Sequence, residues 1–136
     1  AREKKIMHQK MDYEKLINSD EIYQLPIKRL MTQAAKKANK LSECSRDFYY
    51  VFKLFNNEIA VVNANKNVTN NIFFKKSNNI LPKPRCEINI DLRYLFGLIT
   101  NIYHWANAAG GSHYSTRRIP NIFDNNARNF LNFFSI

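Results

Sequence analysis

The sequence predicts an α+β fold: a mixed or antiparallel sheet of about five strands covered by helices. Three observations carry that prediction. Apolar residues recur at three- and four-residue steps from Ile27 to Leu41, which is one stripe on a helix. An aromatic and β-branched run at residues 48–55 meets Asn56-Asn57 and is followed by a second such run, as in a hairpin. Cys86, Ile88 and Ile90 then alternate with polar residues and lead directly into a Leu-rich segment, a strand feeding a helix.

In chain order, residues 1–11 are charged and unpatterned and read as a tail or linker, with one domain over 12–136. Residues 12–18 suit a short helical turn, and Ser19-Asp20-Glu21 supplies an N-cap with negative charge. Pro26 fits a first helical turn, after which Ile27, Leu30, Met31, Ala34, Ala38 and Leu41 form the apolar stripe, to about residue 42. The first strand covers 48–55. Asn tolerates positive φ, so Asn56-Asn57 turns the chain into a return strand over 58–64. A third strand is expected over 68–75, around Ile72-Phe73-Phe74, then a loop punctuated by Ser77-Asn78-Asn79 and Leu81-Pro82-Lys83-Pro84. The fourth strand ends at Asp91, which can cap a helix holding Leu92, Leu95, Phe96 and Ile99. A second helical piece over 102–109 stops at Gly110-Gly111. A fifth strand follows over 113–119, ended by Pro120. Asp124 caps a last helix whose Ala127, Phe130, Leu131 and Phe134 point inward.

Composition narrows the function classes. A hydrophobic fraction of 45% with 13% aromatic residues is that of a folded chain and excludes a disordered or fibrous one. The formal charge of +10 favours polyanionic partners: nucleic acid, anionic membrane surfaces or phosphorylated small molecules. An AT-rich coding sequence would explain the Asn doublets Asn56-Asn57, Asn70-Asn71, Asn78-Asn79 and Asn125-Asn126 with no physical purpose. Cys44 and Cys86 have no CxxC spacing, so two buried free thiols are the default reading, with one disulfide left open. No stretch approaches the ~18 apolar residues of a membrane span, and the N-terminus lacks a signal-peptide core, so a cytoplasmic protein is expected.

Two resemblances follow from these residues. The order of elements over residues 25–119, and "CEINIDLRYLFGLIT" above all, resembles the sterol carrier protein fold, in which a strand ends at an acid and a Leu-rich helix follows. That resemblance implies a sterol-carrier-like five-stranded sheet around an apolar tunnel. The segment "YHWANAAGGSHYSTRRIPNIFDNNARNFLNFF" is similar to the C-terminal end of metallo-β-lactamase-fold proteins of bacterial surface-polysaccharide contexts. His104-Trp105, Asn107-Ala108, Gly111-Ser112-His113 and Arg117-Arg118 match that pattern. Ala106 and Ala109 stand where the group carries Asn and Glu, so no carboxylate is there for acid–base work or for holding a cation. The zinc-binding His-x-His-x-Asp-His motif of that fold does not occur in the sequence. The resemblance therefore implies an accessory C-terminal domain beside a catalytic one.

The candidate chemistry is sparse. His8, His104, His113, Cys44 and Cys86 are not paired at ligand spacing, so no metal site and no cofactor are expected. Nothing proposes a Cys–His nucleophile pair, and Gly110-Gly111 alone is no phosphate loop. His104, Trp105, Asn107, Ser112, His113, Tyr114, Arg117 and Arg118 form the one concentration of polar and aromatic types, suited to a phosphate or carboxylate. In a strand Arg117 and Arg118 point to opposite faces, so only one can line a given pocket. Phe48, Tyr50, Phe52, Phe73, Phe74, Tyr94 and Phe96 either line an apolar tunnel or fill a core.

The expected function is a non-catalytic accessory domain, not an enzyme on its own. It would bind a hydrophobic or amphipathic anionic small molecule, or mediate dimerisation or docking to an adjacent catalytic domain. The alternative is a basic nucleic-acid-binding or assembly subunit that uses Lys28, Arg29, Lys36, Lys37 and Lys40 on one helix.

Overall fold

The computed structural model describes residues 26–77, 80–105, 114–122 and 124–136. The expected tail, the turn at 12–18, the cap at Ser19-Asp20-Glu21, residues 106–109 of the second helical piece, Gly110-Gly111 and His113 lie outside these residues. Among the described residues the elements are α1 (Ile27–Leu41), β1 (Tyr49–Lys53), β2 (Glu58–Asn63), β3 (Ile72–Lys76), β4 (Arg85–Ile90), α2 (Leu92–Ile99), β5 (Tyr114–Ile119) and α3 (Asn125–Asn132). The fold is α+β, as the sequence predicts.

The five strands form one sheet in the order β3-β2-β1-β4-β5. β1 pairs antiparallel with β2 and parallel with β4, while β2–β3 and β4–β5 are antiparallel. To place β4 beside β1, the chain leaves β3 and passes β2 and β1, a lateral shift of roughly 14 Å at ~4.8 Å per strand. Leu81 of that crossing packs on Val51, Ile59 and Val61, so the crossing runs over the sheet face turned away from the helices.

The helix-side face carries the main core. Tyr50, Phe52, Ala60, Val62, Cys86, Ile88 and Ile90 pack with Met31, Ala34, Ala35 and Ala38 of α1, Leu95 and Leu98 of α2, and Phe130 and Phe134 beyond. The three alanines let α1 lie close to the sheet, because a helix approaches as near as its contact side chains permit. The aromatic residues meet ring on ring: Phe48 and Tyr50 at 5.3 Å, Phe52 and Phe134 at 5.5 Å, Tyr50 and Phe130 at 6.2 Å. Such pairs add to area burial through the ring quadrupoles. Phe48, Tyr50 and Phe52, named above as tunnel or core residues, are therefore packed rings between sheet and helices.

Local chemistry sets the boundaries. Asn56 and Asn57 sit at φ 56° and 60°, the left-handed region that a two-residue hairpin turn of matching twist requires. The Asp91 carboxylate accepts from the Arg93 backbone N–H at 2.8 Å and starts α2. Asp124 accepts from the N–H groups of Asn126 and Ala127 at 3.0 and 3.1 Å and starts α3. Both satisfy donors that a helix start leaves without partners.

The third strand begins at Ile72 and not at residue 68. Asn70 has φ 51°, and the buried Asn71 side chain donates to the carbonyls of Ala35 at 3.1 Å and Asn63 at 3.2 Å. Asn63 Oδ1 in turn accepts from the N–H groups of Phe48 and Asn65, and its Nδ2 donates to Asp47. These side chains supply partners for backbone groups that no strand ladder reaches. Codon bias can raise the Asn count, but at Asn56, Asn57, Asn63, Asn70 and Asn71 the residue also meets a local structural demand.

Candidate functional site

The sheet face turned away from the helices combines an apolar floor with converging cations. Register aligns Phe73, Val61, Val51, Glu87 and Arg117 across the five strands, and Lys75, Ile59 and Lys53 in the next row. Val51, Lys53, Ile59, Ser77, Leu81, Arg85, Glu87 and Arg117 line a groove of about 280 Å³. Arg85 is half-buried there and committed: its Nε donates to Glu87 Oε2 at 2.8 Å, and its Nη1 to the Leu81 carbonyl at 3.3 Å. Arg85 thus fastens the crossing segment to the sheet. Lys53 and Arg117 are exposed and make no hydrogen bond or ion pair among the described residues. Three cations surround one carboxylate, so the groove is electropositive.

The cluster predicted from the sequence is divided by the fold. Arg117 lies in this groove, opposite Glu87. Arg118 lies on the helix side, half-buried and opposite Cys86. Trp105 is 3% exposed, with its Nε1 donating to the Phe134 carbonyl at 2.8 Å and its ring against Tyr114, Phe134 and Phe52. Tyr114 is half-buried against that ring. His104 is exposed and borders a different groove, of about 410 Å³, with Asn101, Asn132 and Ser135. Asn107, Ser112 and His113 lie outside the described residues. Among the described members, Trp105 and Tyr114 are brought together and Arg117 is set apart from both.

All five basic residues of α1 are exposed, and the helix carries no acid. Lys28 is ion-paired with Glu58 and lies over the Phe74 ring at 5.5 Å. Lys37 Nζ donates to Ser135 Oγ at 3.3 Å. Arg29, Lys36 and Lys40 make no such contact among the described residues.

Cys44 and Cys86 are free thiols and both are buried. Burial pushes the Cys44 thiol up, and its S–H donates to the Arg46 carbonyl at 3.3 Å. Burial likewise raises Cys86 despite the nearby Arg118 guanidinium. Both are protonated at neutral pH, the inert form of the group. Among the described residues no three His, Cys, Asp or Glu side chains group as metal ligands, and no helix is long and apolar enough to cross a membrane.

Lys53, Arg85 and Glu87 are absent from the sequence-derived candidates. Each alternates with core residues in its own strand, as any solvated strand position does. The antiparallel pairing of β4 with β5 puts Arg85 and Glu87 beside Arg117, the parallel pairing of β1 with β4 brings in Lys53, and no local pattern announces the parallel pairing. No family model matches the chain, and no curated protein or solved structure is significantly similar to it. The fold and this groove define the class, an α+β domain with a cationic groove on one sheet face, and the functional reading rests on its geometry.

Proposed function

We propose that the chain is a non-catalytic accessory domain that binds an amphipathic anionic ligand in the groove between Arg117 and Lys53. The observation that carries this reading is the convergence of Lys53, Arg85 and Arg117 on the same sheet face as Val51, Ile59 and Leu81. The apolar floor suits an alkyl or similar end, and the cations suit a phosphate or carboxylate. The ring-packed interior on the other face supports placing the ligand here and not in a sterol-carrier-like tunnel between sheet and helices. Within a longer protein, the resemblance to metallo-β-lactamase-fold C-terminal ends would put this face beside a catalytic domain, to dock on it or to shape its substrate site.

Titration calorimetry with a short-chain alkyl phosphate tests the reading. Arg117→Ala and Lys53→Ala should each weaken binding by about 1.5–3 kcal/mol, the range for hydrogen bonds to charged groups. Arg118→Ala, on the opposite face, should leave affinity unchanged. Equal losses in the Arg117 and Arg118 variants, or none in the Arg117 and Lys53 variants, would remove the groove from consideration.

A further inference from the structure

We infer that the outward face of α1 is a second, separate surface, which docks the phosphate backbone of a nucleic acid without reading its sequence. Five basic residues and no acid lie on this helix, but the fold separates them into two groups. Lys28 is held by Glu58 and the Phe74 ring, and Lys37 by Ser135. Arg29, Lys36 and Lys40 stand at i, i+7 and i+11, one stripe down the exposed side of the helix. At ~1.5 Å rise per residue the stripe is about 16 Å long. One strand of duplex presents a phosphate every ~3.4 Å of axis, so this length spans several phosphates.

The chemistry of the surface selects this partner over two others. An anionic membrane surface would need apolar side chains to enter the headgroup region. The apolar residues Ile27, Met31, Ala34, Ala35 and Ala38 are instead buried against the sheet. An acidic protein would need an apolar or aromatic centre within the contact. Leu41, at the C-terminal end of the helix, is the one large exposed apolar residue on α1. Gln33 is the further exposed residue within the stripe, and long basic side chains with one amide contact phosphates and not a unique base pattern.

The test is the salt dependence of binding to a fluorescein-labelled mixed-sequence DNA duplex, read by anisotropy with the full chain. Each neutralised phosphate contributes about 0.9 to the slope of log K against log salt. The R29A/K36A/K40A variant should therefore have a slope shallower than that of the parent by about 2.7, since three contacts are lost. Between 50 and 200 mM salt the parent should lose about forty-fold more affinity than this variant, because a fourfold salt change raised to the power 2.7 is about 42. All three positions are exposed, so the substitutions leave the core intact. The K28A/K37A variant should change the slope less than the triple variant does, because Lys28 is ion-paired with Glu58 and Lys37 is engaged by Ser135. An unchanged slope in the triple variant overturns the inference. So does an equal change in the K28A/K37A variant, or parent protein that binds phosphatidylserine vesicles but not the duplex at 50 mM salt.

Discussion

Replacing Trp105 with alanine removes a side chain that is 3% exposed and touches three other rings, those of Phe52, Tyr114 and Phe134. A buried Trp→Ala change costs about 3–5 kcal/mol through lost transfer energy and the cavity left behind. Trp105→Phe separates the two contributions. It keeps a ring in place but deletes the Nε1–H that donates to the Phe134 carbonyl at 2.8 Å. A buried carbonyl that loses its donor costs about 1–3 kcal/mol, so the phenylalanine variant should fall between the alanine variant and the parent. Urea denaturation followed by far-ultraviolet circular dichroism measures both changes. Intrinsic fluorescence cannot serve, because the chain has a single Trp. Both variants should bind the alkyl phosphate like the parent while folded, since Trp105 lies on the other side of the sheet from Arg117. Unchanged stability with lost binding would refute this: the indole would then face ligand, and the sequence-level placing of Trp105 in a binding cluster would be restored.

Asp124→Ala should cost about 1–2 kcal/mol at neutral pH, the usual worth of an N-cap. Burial alone would raise the Asp124 carboxyl, but the Ala127 N–H, the Arg46 guanidinium and the Asn126 N–H outweigh it and hold the group below its ordinary value. Its stabilisation is therefore complete above the unfolded pKa of ~3.9 and is lost as pH falls through the lower folded value. Urea midpoints of parent and variant should converge only in strong acid; convergence near pH 6 would contradict the assignment. At the β1–β2 turn, Asn57→Gly should be neutral or stabilising and Asn57→Ala should destabilise by about 1 kcal/mol, as a left-handed residue demands. Equal stability of the two variants by thermal denaturation would mean that the turn relaxes to another geometry.

Features with local causes are legible in the sequence. The α1 stripe, the Asn56-Asn57 turn, the Asp91 and Asp124 caps and the period-two burial of Cys86, Ile88 and Ile90 each depend on residues a few positions apart. The inward set Ala127, Phe130, Leu131 and Phe134 follows from spacing alone. Features that depend on distant partners are hidden. The start of β3 is set by Asn71 reaching the backbone of α1, and Trp105 is held by a carbonyl at Phe134. The candidate groove needs β1, β4 and β5 side by side, so its members Lys53, Arg85 and Glu87 have the pattern of ordinary solvated strand residues. Alternation does establish that Arg117 and Arg118 must part company, although not which of them joins the cations.

The parallel pairing of β1 with β4 also has a kinetic consequence. Tyr49 lies opposite Arg85, 36 positions along the chain, and both hairpin contacts of β2 fall within that interval. The β1-β2-β3 meander can assemble from near neighbours, whereas the seam between β1 and β4 requires a long loop to close first, at an entropic cost that local contacts do not bear. Until that seam forms, β1 is an uncovered edge with Tyr50 and Phe52 on one side and Val51 on the other. If the meander assembles first, its aromatic strand is available to any other unpaired strand until the seam closes. The centre of the finished sheet would then be an edge on the way there.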